Sequence, residues 1–346
     1  MLKENIKKNI VIALLVIGSF TLAFSLLEIF LRTTNYHYYP LQIQVLGART
    51  DNENNSGSDW RRYHIFEHDA FIFDPQLLWK PNPEYQIVDN DQPKHFFNTL
   101  GYPGPLFNPL TEGSQERIIT IGDSHTLGLP IIDRQTGREV GWPAYLEANL
   151  GRTFEVINGG VWGYSSYQML KRFQQALDYK PAIVRWTPSA NDAHLVGVSD
   201  KEYGIIQIAS TEALVKLRSA QLIQSLLDKM FKDTQKDKEQ LVPRVSLLDY
   251  KTELSTVIDE TSKRNIKLIL LNRPLLHPYP DSEFENRFQE YNKLTELIAR
   301  ENSIHFIDVD ALFATDSQHF ADSSHLNEEG LKILANTLKS LLWPDI

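Results

Sequence analysis

Four short stretches carry side chains that could do chemistry together. The first is Gly122-Asp123-Ser124, which directly follows the β-branched run Ile118-Ile119-Thr120-Ile121. A run of this kind reads as a buried strand, and Gly-Asp-Ser as the sharp turn at its C-terminal end. A serine there can present its hydroxyl as a nucleophile, although Asp and Ser after a strand are also ordinary cap and turn residues. The second is Gly159-Gly160-Val161-Trp162-Gly163-Tyr164-Ser165-Ser166, either a plain glycine turn or a loop whose N–H groups face an anion. The third is Ser189-Ala190-Asn191-Asp192, where Asn191 could donate to a developing oxyanion or cap a helix. The fourth is Asp322-Ser323-Ser324-His325-Leu326-Asn327. Here His325 could act as a general base and Asp322 could hold its other ring nitrogen. The structural alternative is a helix start with Asp322 as the cap.

These stretches need a frame. Strands are expected at 117–121, 154–157, 182–186, 266–271 and 304–309. Helices are expected at 142–150, 167–179, 212–229, 246–264, 283–301 and 327–342, with a charged loop at 232–239. Strands alternating with helices of this length imply right-handed crossovers and a parallel sheet covered on both faces. In such sheets ligands bind at the C-terminal strand edge, where the first three stretches fall, and the fourth lies in a late loop just before the last helix.

Upstream, Lys3, Lys7 and Lys8 precede a charge-free run from Ile10 to Leu27, and apolar character resumes after Glu28. The run is long enough to span a bilayer. With only Arg32 close behind it, the positive-inside rule places the N-terminus in the cytoplasm and the remainder in the periplasm or outside the cell. A cleaved signal peptide is the alternative, with Ala23 and Ser25 as small residues near a cleavage site. The expected organisation is a cytoplasmic tip and transmembrane anchor (1–32), a polar linker (33–59), an aromatic-rich, membrane-proximal segment packing on the main domain (60–115) and an α/β domain (116–346).

Composition narrows the function. The 346 residues are 42% hydrophobic and 23% charged, with net charge −9. The acidic balance and the lack of a basic stripe argue against a nucleic-acid partner. The chain has no cysteine, which removes thiol nucleophiles, disulfides and thiolate metal sites. Asp123-Ser124-His125 also spells the Asp-x-His opening of metal-dependent phosphoesterases, but the further ligand motifs of that class, such as Gly-Asn-His-Glu, are missing. No cofactor or metal is expected.

Taken jointly and in this order, the four blocks resemble those of the SGNH (GDSL-type) hydrolase superfamily, matched by Ser124, Gly163, Asn191 and His325. The resemblance runs from about 116 to 342. The stretch Asn98-Thr99-Leu100-Gly101-Tyr102-Pro103-Gly104 looks like a segment found upstream of the catalytic domain in membrane-anchored bacterial members. Two positions depart from the pattern: Ser189 stands where glycine is usual, and His125 where an apolar residue is common. The resemblance implies an α/β fold, a flavodoxin-like three-layer sandwich with a central five-stranded parallel sheet. It implies Ser124 as nucleophile, His325 as base and Asp322 as its orienter, with Asp123 holding the turn. The backbone N–H groups of Ser124 and Gly163 and the Asn191 amide would form the oxyanion hole. The implied activity is serine esterase chemistry through an acyl-enzyme. Together with the anchor, it suggests removal of O-acyl (acetyl) groups from a cell-envelope carbohydrate. An O-acyltransferase with the same triad, or a non-catalytic glycan-binding or assembly protein on this fold, are the alternatives. Trp162, Tyr164 and Tyr167 could stack on sugar rings, with core packing as the other role. His194 and His319 are candidate pocket residues.

Overall fold

The computed structural model describes residues 2–36, 38, 70–74, 76–89, 92–108, 115–128, 132–133, 138–139, 141–205, 216–235, 241–313 and 317–344. Most of the expected 33–59 linker and residues 60–69 of the aromatic segment lie outside them.

Five strands form the central sheet: β1 (Glu116–Ile121), β2 (Phe154–Asn158), β3 (Ile183–Trp186), β4 (Lys267–Leu271) and β5 (His305–Ile307). Their spatial order is β2-β1-β3-β4-β5, and every neighbouring pair is parallel. This is the flavodoxin-like order, whose switch point lies between β1 and β3. The longer helices among the described residues are α1 (Leu2–Thr33), α2 (Trp142–Leu150), α3 (Ser166–Ala176), α4 (Arg218–Gln235), α5 (Leu247–Lys263), α6 (Ser282–Glu301) and α7 (Glu328–Leu342).

The strands are apolar on both faces because both faces are covered. Ile119, Ile121, Val184, Trp186, Leu268 and Leu270 pack with Met169 and Phe173 of α3, Leu254 of α5 and Phe288 of α6. The alternate residues Ile118, Ile183, Ile269 and Leu271 pack with Leu146 of α2 and Leu334 and Leu338 of α7. The result is three layers, with α3, α5 and α6 on one side of the sheet and α2 and α7 on the other.

The 70–107 stretch forms two antiparallel hairpins, Phe71–Asp74 with Leu78–Pro81 and Gln86–Asp89 with Gln92–His95. Its Phe71, Leu78, Trp79, Phe97 and Tyr102 belong to the same apolar cluster as the α3 side of the sheet. Polar contacts fix the register. Gln168 Nε2 donates to Leu77 O at 2.6 Å, and Arg172 Nη2 donates to Gly101 O at 2.7 Å.

One helix departs from expectation. The sequence places a helix at 212–229 followed by a charged loop. Helix α4 instead runs to Gln235, so Lys232 to Gln235 are helical, and 206–215 and 236–240 lie outside the described residues. Charged residues do not end a helix where no glycine or proline interrupts the turn.

Candidate active site

Three of the blocks offered a capping reading beside the chemical one, and in each a neighbouring residue takes the cap. Asp123 caps the short helix Ser124–Leu127 by accepting from His125 N, so the Ser124 hydroxyl is not used as a cap. Ser189 caps the turn Ala190–Ala193 by accepting from Asn191 N at 3.0 Å. Asn327 caps α7 by accepting from Gly330 N at 3.0 Å, so Asp322 is not that cap.

The side chains left over meet. Ser124 Oγ lies 2.8 Å from His325 Nε2. On the other side of the ring, His325 Nδ1 lies 2.9 Å from Asp322 Oδ2. Asp322 Oδ1 accepts from Ser324 N at 2.7 Å and His325 N at 2.8 Å, which folds the loop around its own carboxylate. Burial opposes the charge on Asp322. His325 beside it and the two backbone N–H groups outweigh that and hold the carboxyl below its usual range.

Gly163 has φ of +72°, a left-handed conformation that favours glycine. A Cβ on Gly160 would lie 2.2 Å from Leu127 N, so only glycine lets the second block approach the nucleophile's helix. The Asn191 amide has three acceptors in reach: Tyr164 O at 3.0 Å, Ser189 Oγ at 3.1 Å and Asp123 Oδ2 at 3.2 Å. With two hydrogens for three acceptors, it is held in place yet has an acceptor it can exchange.

Asp123 does more than hold the turn. Its Oδ2 also accepts from Ser189 Oγ at 3.0 Å and from Arg273 Nη1 at 2.5 Å. Arg273 Nη2 in turn donates to Ser324 O at 3.0 Å. Arg273 follows β4 and is 2% exposed, so one buried guanidinium ties the serine turn to the histidine loop. No local pattern marks it, since a lone arginine after a strand is commonplace. Arg244 plays a similar part: it pairs with buried Asp200 at 2.7 Å and donates to Gly163 O at 2.9 Å.

The aromatic expectations need correction. Trp162 and Tyr164 are buried, so neither is an exposed sugar platform. Trp162 stacks on the His325 ring, with centroids 5.9 Å apart. It is gripped by Trp79, whose Nε1 donates to Trp162 O at 3.1 Å, and Tyr164 OH donates to Trp79 O at 2.7 Å. The hairpin segment therefore buttresses the base. Tyr167 is half-buried, and Lys171 sits over its ring. His194 stacks on Phe284 and His319 packs edge-on to Phe313, away from the triad contacts. His125 is buried and held neutral, by burial first and then by Arg273 and His325. Among the described residues, no group of three His, Asp or Glu side chains is placed to hold a metal ion.

A doubly wound parallel sheet with a Ser–His–Asp chain at the switch-point edge defines a class, the α/β acylhydrolases. The chain belongs to the GDSL-like lipase/acylhydrolase family, whose model matches residues 120–333, and it is an ester-hydrolysing enzyme. Several solved structures are similar to parts of the chain. A catalytic mutant of Axe2, an acetylxylan esterase from Geobacillus stearothermophilus, is 19% identical (TM-score 0.44), covering 66% of this chain and 94% of its own. LAE5, an alpha/beta hydrolase enzyme from the metagenome of Lake Arreo, Spain, is 19% identical (TM-score 0.45), covering 65% and 94%. A GDSL-like lipase from Bacteroides thetaiotaomicron VPI-5482 is 17% identical (TM-score 0.42), covering 67% and 89%. No curated protein matches the chain.

Proposed function

We propose that this chain is a membrane-anchored serine esterase that removes O-acyl groups, acetyl in particular, from a cell-envelope carbohydrate. The observation that carries the reading is the unbroken relay from Ser124 Oγ through His325 to Asp322, at 2.8 and 2.9 Å. Ser124 Oγ attacks the ester carbonyl while His325 Nε2 takes its proton. The tetrahedral oxyanion is met by the backbone N–H groups of Ser124 and Gly163 and by the Asn191 amide, which gives up one of its internal acceptors. Collapse breaks the C–O bond, and His325 returns the proton to the leaving alcohol. Water then repeats the sequence on the acyl-enzyme, releasing the acid and restoring Ser124. Asp322 keeps the imidazole in the useful tautomer and balances its charge.

The location half of the proposal rests on α1. Its segment from Asn5 to Thr33 is long and apolar enough to cross a membrane, and its most apolar 18-residue window is not buried in the protein. Lysines precede the run, which supports an N-terminus in the cytoplasm and a catalytic domain outside it.

The test uses the full chain in detergent with p-nitrophenyl acetate and an acetylated xylo-oligosaccharide. Wild type is expected to release acetate from both, and Ser124→Ala to fall to the uncatalysed rate. Equal rates for the two proteins would overturn the assignment. Adding an unacetylated glycan acceptor distinguishes release from transfer: free acetate as the main product supports the esterase, and acetylated acceptor the transferase.

A further inference from the structure

Helix α4 is built inside out. The residues it buries against the domain are polar: Ser219, Gln221, Gln224 and Asp228. The residues it turns outward are apolar: Ile223 is 38% exposed, Leu226 51% and Met230 65%. Gln221, Gln224 and Asp228 share one stripe and Ile223, Leu226 and Met230 the opposite one, while Ser219, in the first turn, is buried at Glu28 of α1. A helix on a water-soluble surface has the opposite arrangement. The buried side is well satisfied. Asp228 Oδ2 accepts from Tyr38 OH and Tyr203 OH, both at 2.5 Å, and Gln224 Nε2 donates to Asp228 Oδ1 at 3.0 Å. The polar face therefore belongs where it is, and the outward stripe is what lacks an explanation in water.

The position of α4 supplies one. Its first turn is capped by α1. Glu28 Oε1 accepts from Arg218 N at 3.0 Å, and Oε2 accepts from Ser219 N at 2.8 Å and from Ser219 Oγ at 2.9 Å. Arg32 Nη2 adds a bond to Lys216 O at 2.7 Å. Glu28 is the first charge after a run from Asn9 to Leu27 that spans about 28 Å at helical rise. A bilayer's hydrocarbon core is about 30 Å thick. Glu28 thus falls at the edge of that core, and α4 starts at the same depth. Leu217, 39% exposed, extends the apolar surface at the start of the helix, and exposed Lys216 and Lys229 flank it.

We propose that α4 is an interfacial helix whose Ile223–Leu226–Met230 face rests on the acyl chains of the bilayer that α1 spans. The proposal rests on the anchor reading of α1. Apolar outer face, flanking cations and starting depth are what such a helix needs. Downstream of α4 in the chain, Arg244 holds the carbonyl oxygen of Gly163, the glycine of the second block.

The absence of cysteine makes the test clean. Single variants Leu226→Cys, Met230→Cys, Phe20→Cys in α1 and Leu248→Cys, a 75% exposed position on α5, each carry one environment-sensitive fluorophore. The full chain is placed in phosphatidylcholine–phosphatidylglycerol vesicles, with doxyl-labelled lipid or aqueous iodide as quencher. Expected is loss of most emission to doxyl lipid at 20, 226 and 230, and to iodide at 248. Iodide quenching at 226 and 230, or shielding from both quenchers by a protein partner, overturns the interfacial helix while position 20 still reports lipid. Loss of lipid quenching at position 20 itself overturns the anchor reading, and this proposal with it.

Discussion

Two largely buried carboxylate sites, one in the histidine loop and one after β3, are pushed in opposite directions. At Asp322 all the nearby donors converge: two backbone N–H groups on one oxygen and the His325 ring on the other. Its carboxyl is held low despite burial. At Asp192 and Glu253 the donors run short. Asp192 Oδ1 accepts from Ser166 N at 2.8 Å, but among the described residues Asp192 Oδ2 and Glu253 Oε2 have no hydrogen-bond partner. Burial first, and then Glu253, raises Asp192 well above its usual range. Burial pushes Glu253 up to about 8, so the pair keeps a proton at neutral pH. Burial is common to both sites. The supply of donors decides whether a carboxylate is available for charge stabilisation or is stored as a neutral acid.

The largest effect is expected where the charged site is broken. Asp322→Asn keeps the shape but favours the wrong imidazole tautomer, and kcat for p-nitrophenyl acetate should fall by about 10⁴-fold with the thermal midpoint little changed. A loss below tenfold would separate Asp322 from the relay. Next comes the ion pair beneath it. Arg273→Met strands the buried Asp123 carboxylate, and urea unfolding should show a loss of about 3–5 kcal/mol together with reduced kcat. Unchanged stability would mean that the pair does not bind the serine turn to the histidine loop.

The smallest effect tests the neutral site. Glu253 has a folded pKa of about 8 against an ordinary value of 4.5, so the fold binds its proton more tightly than the unfolded chain does. The stability it contributes is fully present below pH 4.5 and drains away as pH rises towards 8. Glu253→Gln, already neutral, should therefore melt higher than wild type at pH 8 and close to it at pH 4.5. A gap of the opposite sign, or one independent of pH, would show that Glu253 is ionised in the fold.

What the sequence made legible follows from how local each signal is. The five strands are short apolar runs followed within two residues by Gly122, Gly159, Pro188, Asn272 and Asp308, and α5, α6 and α7 carry their own side-chain caps. Ser124, His325, Asp322 and Asn191 could be named because their blocks are contiguous. Arg273 lies 150 residues from the carboxylate it meets, and no local pattern marks that pairing. Trp162 reads equally well as a sugar platform or as packing, and only the approach of Trp79 from another segment decides. Helix α4 shows the same limit from the other side. Its two stripes are visible as periodicity, but which stripe faces inward depends on Tyr38, Tyr203 and Glu28, all remote in the chain.

The account stands on Ser124 being the atom that takes the acyl group. Full-length protein treated with a fluorophosphonate probe and digested for peptide mass mapping tests this directly. The account predicts one adduct, on the Ser124 peptide, formed by wild type and lost in Ser124→Ala and His325→Gln. An adduct on another serine, or labelling of Ser124 that is indifferent to His325, would contradict it.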